Sequence, residues 1–242
     1  MGLPAGLAHI HFDSIDSTNA EAQRQAATAT SPIWFTADEQ TAGKGRRGRA
    51  WSTAHGNFAG TLLLPIQDEP IETLAEYSFV AALALYDACV AMTGEAAAFQ
   101  LKWPNDVLMR GAKLAGILLE TIGSPSHLAI GIGVNLRHDP EAQKLEADAM
   151  QVASLNQDMT ATEFLEHLAP AFEKYRDLRK AQGFQAIRTA WLEKAAKRGE
   201  TLRARLPNTE ITGIFVDLDD QGALILENAR GRHVIAAGDV FF

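Results

Sequence analysis

Lys102-Trp103-Pro104-Asn105-Asp106-Val107-Leu108-Met109-Arg110-Gly111-Ala112-Lys113-Leu114-Ala115-Gly116-Ile117-Leu118-Leu119-Glu120 holds two apolar runs separated by Arg110-Gly111, a pair suited to a tight turn. With 99–102 before it and 127–136 after it, the stretch predicts consecutive strands of one sheet. Two lysines and a carboxylate on adjacent strands are unusual. A strand that begins with Lys113 and continues Leu-Ala-Gly-Ile-Leu-Leu sets its cation where the strand meets a pocket, and Gly116 leaves room for a ligand against the backbone. The alternative is a lysine guarding a sheet edge against aggregation, and Asp106 can equally be an ordinary turn residue after Asn105.

Working outward, 9–13, 33–37 and 57–64 read as further strands, and 73–92 carries apolar residues at helical spacing over about five turns. Thr18 with Glu21, and Thr160 with Glu163, stand at capping-box spacing and open helices; the second helix runs to about 182, and another covers 184–196. After Gly199 the texture changes to short alternating strands, 202–206, 209–217, 223–228 and 232–236, which predict a small all-β module with a core of its own. The division expected is 1–196 and 197–242.

Between the second and third strands the hydrophobic pattern lapses, so 38–56 reads as one long loop. Within it, Gly43-Lys44-Gly45-Arg46-Arg47-Gly48-Arg49 sets four cations among three glycines. Glycines admit backbone amides close to an anion and the cations neutralise it; the plainer reading is a solvated basic loop or a minor RNA-contacting patch. No Gly-Lys-Ser/Thr follows at Walker spacing. Gly131-Ile132-Gly133-Val134-Asn135-Leu136 carries less: paired glycines in a strand usually mark close packing, while Asn135 offers a donor and an acceptor.

The 242 residues are 47% hydrophobic and 21% charged, enough for one sizeable core, and the formal net charge of -8 opposes a general nucleic-acid binder. Cys89 is the one cysteine, which excludes a disulfide framework and a four-cysteine zinc site. No signal peptide or spanning segment is read, so a reducing cytoplasm is expected.

Ser17-Thr18-Asn19, the glycine-arginine loop, Lys102 to Asp106 and Lys113 to Leu118, taken together, resemble the biotin-protein ligase family in identity, order and spacing. The resemblance implies an α+β fold, with a class II aminoacyl-tRNA synthetase-like mixed sheet, flanking helices and an SH3-like C-terminal β-barrel. It implies an ATP-dependent ligase that makes biotinyl-5'-AMP and passes biotin to a lysine of a biotin carboxyl carrier protein domain, with Mg2+ assisting. By the same resemblance Lys113, Arg46, Arg49 and Asp106 are catalytic. Ser17, Thr18, Asn19, Gln40, Gly43, Lys44, Gly45, Arg46, Lys113 and Gly116 bind biotin, and Arg46, Arg49, Trp51, Asn105, Lys113 and Asn135 bind nucleotide. Ser17 and Thr18 would also be satisfied as helix-capping residues.

Departures from the family pattern are Lys44 in place of arginine, which turns a bidentate fork into a point charge, and a run from Arg137 to Gln157 without an aromatic residue. That run is expected to cover the adenosine in relatives, so here Trp51 is the candidate for stacking on adenine. Too few residues precede the first strand for a helix-turn-helix, so no operator binding is expected; a homodimer is compatible with everything above. The competing readings are a lipoate-protein ligase or octanoyl transferase, and a nucleic-acid module working through residues 44–49 and the terminal barrel.

Overall fold

The structure is a computed structural model and describes residues 3–4, 7–51, 53, 55–66, 69–123, 126–137, 150–207 and 209–242. Seven strands form the main sheet: β1 (Ala8–Ile15), β2 (Ile33–Gln40), β3 (Phe58–Pro65), β4 (Phe99–Lys102), β5 (Asp106–Met109), β6 (Ala112–Ile122) and β7 (His127–Val134). Their spatial order is β1-β2-β3-β7-β6-β5-β4. Only β1 and β2 run parallel, and the crossover that a parallel pair requires is α1 (Thr18–Gln25). Strand β7 is buried at every position, which is why it reads as a continuous apolar run rather than an alternating one.

One face of the sheet packs on α2 (Glu76–Thr93) and α3 (Ala161–Gln182), and α4 (Phe184–Leu192) packs in turn on those two helices. Helix α2 is apolar all round because it lies in the core, with Phe79, Val80, Leu83 and Leu85 buried; its hydropathy alone would suit a membrane span. It ends at Gly94, whose φ of 72° suits a residue without Cβ and whose N–H closes on the Val90 carbonyl. The opposite face is covered at one end by α1, where Ala22, Ala26 and Ala29 meet Phe35, Leu63 and Ala129. Beyond α1 that face carries mainly small groups, Ala59, Thr61, Gly116, Gly131 and Gly133, with Leu118 opposite Gly131, and the site lies there.

The Thr160/Glu163 capping box forms as expected. The Thr18/Glu21 box does not. Ser17 is the N-cap, without a side-chain cap bond, and the Glu21 carboxylate is taken by Arg24 and Gln25 at 2.7 Å each. The expected long loop is also partly structured. Strand β2 continues to Gln40, Lys44 bridges Ala50, and Gly45 donates to the Arg49 carbonyl at 2.7 Å, so the segment is a closed flap. At its tip Arg47 and Gly48 adopt φ of 57° and 72°.

The C-terminal sheet contains β8 (Thr201–Arg205), β9 (Glu210–Leu218), β10 (Leu224–Asn228), β11 (Gly231–Ile235) and β12 (Asp239–Phe241), in the order β11-β10-β9-β8-β12. Strand β12, three residues long, carries too little pattern to be read from sequence. The expectation of a separate core is wrong: Leu202, Phe215, Leu218, Leu224 and Val240 belong to the same hydrophobic cluster as α2 and α4. The Trp103 indole donates to the Gly222 carbonyl at 2.9 Å, and Gly222 abuts Phe79 so closely that a Cβ there would stand 2.6 Å from its ring. Phe79 in turn packs edge-on against Phe184 and Trp191.

Candidate functional site

The pairing of β6 with β7 sets Gly116 opposite Gly133, and β3 sets Thr61 opposite Gly131. These residues make a floor almost free of side chains, and two side chains lie directly on it. A Cβ on Gly133 would stand 2.2 Å from the Trp51 indole, and one on Gly131 would stand 2.2 Å from Asn19 Oδ1. The glycines are therefore needed for close approach, which is the packing reason the sequence left open.

At one end of the floor is a polar slot. Thr18 and Thr61 are buried, and so is Ser17. Gln40 Oε1 accepts from the Thr18 N–H at 2.8 Å and lies 3.1 Å from the Thr18 hydroxyl, while Gln40 Nε2 donates to Thr53 at 3.0 Å. The Thr61 hydroxyl lies 2.8 Å from Thr18 Oγ1 and 2.6 Å from Asn19 Oδ1, and Asn19 Nδ2 donates to Glu120 at 2.6 Å. Gly43 closes the slot: a Cβ there would stand 2.5 Å from the Trp51 carbonyl. Burying this many donors and acceptors disfavours folding unless each finds a partner, so a cluster of them beside an open floor is suited to orient a polar ligand ring.

The other end is cationic. Asp106 opens β5 and is an ion-pair centre, not a free turn residue: its Oδ1 lies 2.6 Å from Lys113 Nζ and its Oδ2 3.8 Å from Lys102 Nζ. Lys113 reaches over Gly116 and stands 5.8 Å from the centre of the Trp51 ring. Arg46 donates to Asn105 Oδ1 at 3.1 Å and to the Gly238 carbonyl at 3.4 Å, and Asn105 Nδ2 holds the Ile117 carbonyl at 2.6 Å. Arg47 and Arg49 both reach Asp239, at 2.6 and 2.7 Å. Burial lowers the pKa of Arg46 and of Lys102; burial works against ionised Asp239, but Arg49 and the neighbouring arginines hold its carboxyl below the usual range. Four cations thus share two carboxylates, and Arg46 stands beside them on neutral acceptors, in a chain whose net charge is -8.

The structure therefore brings Ser17, Thr18, Asn19, Gln40, Gly43, Trp51 and Gly116 together at the floor and slot, and Lys113, Asp106, Asn105, Arg46 and Arg49 at its charged end. Lys44 is exposed on the flap, and Gly45 serves the flap's own backbone closure. Asn135 is buried, with its side chain donating to the Ala153 carbonyl at 3.0 Å; it pins a returning segment whose Gln151 and Ala153 bond the Lys113 backbone. Residues 138–149, most of the run expected to cover the adenosine, lie outside the described residues. Sequence reading missed Thr53, Thr61 and Asp239 and left Lys102 without a role. Thr61 is the one of these with a signal, a lone hydroxyl in the apolar run Gly60-Thr61-Leu62-Leu63-Leu64.

Comparison with known proteins identifies the family. Residues 11–135 match the biotin/lipoate A/B protein ligase family, and residues 199–242 match the biotin protein ligase C-terminal domain. The chain is 48% identical over 234 residues to the biotin--[acetyl-CoA-carboxylase] ligase of Paracoccus denitrificans, covering 94% of this chain and 97% of that protein. It is 32% identical to the bifunctional ligase/repressor BirA of Bacillus subtilis, over 96% of this chain and 73% of that protein. Among solved structures, the biotin protein ligase of Aquifex aeolicus in complex with biotin and ATP superposes with a TM-score of 0.83 at 26% identity, covering 96% of this chain and 97% of the other.

Proposed function

Since the chain belongs to the biotin/lipoate A/B protein ligase family, we propose that it joins biotin to ATP as biotinyl-5'-AMP and transfers the biotinyl group to a lysine of a biotin carboxyl carrier protein domain. The observation that carries this reading is a polar slot and a cationic cluster at opposite ends of one glycine floor, the arrangement required by a neutral polar ring whose carboxylate must meet a phosphate.

In the first step a biotin carboxylate oxygen attacks the α-phosphorus, a new P–O bond forms, and pyrophosphate leaves with the electrons of the bond to the β-phosphate. Carboxylate and phosphate repel one another until cations screen them, and charge grows on the phosphoryl oxygens in the transition state. Lys113, beside Gly116, supplies that screening in this reading, with Arg46 at the flap and Arg49 farther out. Thr18, Gln40 and Ser17 orient the ureido ring, Asn19 and Gly43 shape its slot, and Trp51, beside Lys113, offers the aromatic surface for adenine. In the second step the carrier amine attacks the acyl carbon, the acyl C–O bond of the mixed anhydride breaks with its electrons leaving on AMP, and the amine's proton passes to water. Asp106, beside Lys113, is the carboxylate assigned to orient that amine.

For magnesium the fit is poor on the protein side: Asp106 is held by Lys113 and Lys102, and Asp239 by Arg47 and Arg49. Magnesium is therefore assigned to the incoming ATP, whose phosphates supply its oxygens. Residues 1–196 carry the substrates, and 197–242 close the flap through Gly238 and Asp239. A reducing cytoplasm suits Cys89, a buried thiol pushed up to about 12 by burial and so inert. The reading is tested by incubating the chain with ATP, biotin and a carrier domain and weighing the carrier. Biotin should appear on one lysine, and a carrier with that lysine changed to arginine should stay unmodified; a carrier left unmodified in both forms rejects the assignment.

Arg46 gives a sharper consequence. It ties the flap to Asn105 and to Gly238 at once, so Arg46→Gly should loosen the flap and release the mixed anhydride before the carrier arrives. The expected result is labelling of an unrelated bystander protein at several times the wild-type level, with selectivity falling before total labelling does. Bystander labelling at the wild-type level would show that Arg46 does not retain the intermediate.

A further inference from the structure

Lys102 is the unexplained charge at this site. Its side chain is 11% exposed, more deeply buried than that of Lys113 at 31%, and burying an ammonium is costly unless its charge is used. A surface role is excluded by that burial. The groups around it are Asp106, Lys113, Asp239 and Arg46, with the Phe242 ring 5.5 Å from Nζ. Two ammonium groups therefore flank one carboxylate, Lys113 on Oδ1 and Lys102 on Oδ2.

That arrangement answers a problem in the mechanism. A carboxylate 2.6 Å from Lys113, if it belonged to Lys113 alone, would cancel the field that Lys113 must present to the phosphate. We infer that Lys102 is a positioning residue for adenylation: by sharing the Asp106 carboxylate it leaves Lys113 with charge to offer the reacting phosphate. This rests on the ligase reading above. In this role Lys102 acts through Asp106 and Lys113 rather than by its own contact with the substrates.

Such an indirect role has a signature that a merely structural one lacks. Lys102→Met keeps most of the buried stem and removes the charge, and should slow single-turnover, biotin-dependent pyrophosphate release by about tenfold, somewhat less than loss of a direct electrostatic contact. In an Asp106→Asn background, where no carboxylate remains to cancel Lys113, the same change should cost less than about twofold, the non-additivity expected of residues acting as one unit. Lys102→Arg should retain most of the rate. Thermal unfolding of each variant checks the fold, and Lys102→Gln replaces Lys102→Met should the latter not fold. The inference is overturned if removal of the Lys102 charge leaves the rate unchanged, or if it slows the Asp106→Asn enzyme as much as the wild type. Absence of biotin-dependent pyrophosphate from the wild-type chain would instead reject the ligase reading.

Discussion

Lys113→Ala should reduce the rate of biotinyl-adenylate formation by about a hundredfold or more, the loss typical of one electrostatic contact to a developing charge. The backbone of Lys113 should keep its place, because its N–H donates to Gln151 and its carbonyl accepts from Ala153 whatever the side chain. The side chain is not part of the core, so the melting temperature should move little. The change should fall on the chemical step, with the biotin dissociation constant much less affected, since Thr18 and Gln40 lie at the far end of the floor. Single-turnover assays beside binding titrations separate the two. A variant that adenylates biotin at nearly the wild-type rate, or one whose whole defect is weaker biotin binding, would contradict the role given to Lys113.

Deleting residues 199–242 should abolish the folded state of the remainder. Texture alone suggests a detachable module, but the packing argues otherwise. Removing it strips cover from Phe79, Trp103, Phe184 and Trp191, all buried, and takes away Gly222 and Leu218 as acceptors for Trp103 and Arg188. Exposing several large aromatic side chains costs more than the few kcal/mol by which a domain of this size is stable. The truncated chain should be insoluble, or soluble without a cooperative thermal transition and without near-ultraviolet circular dichroism. A soluble, cooperatively melting fragment with only weakened ATP use would show that the two regions fold independently.

These cases also show what the sequence could and could not convey. Strand β7 and helix α2 were legible because burial on all sides leaves long apolar runs, and the turn at Arg110-Gly111 fixed the β5–β6 hairpin. The same capping pattern was true at Thr160 and false at Thr18, where Gln40 and Thr61 draw the hydroxyl away from the helix end. No local periodicity can announce such a long-range contact. The flap's backbone closure was hidden for a related reason, since glycine and arginine carry no hydrophobic alternation. Asp239 is the extreme case: it lies on a three-residue strand, far along the chain from the arginines it holds, and only folding brings them together.

The central claim is that the slot and the cationic end serve one reaction, ATP-dependent activation of biotin. It is tested most directly by incubating the chain with MgATP and either biotin, lipoate or octanoate, without any carrier protein, and following pyrophosphate release. The account predicts a stoichiometric burst with biotin and none with the two fatty acids. A burst with lipoate and none with biotin, or no burst with any of the three, would contradict it.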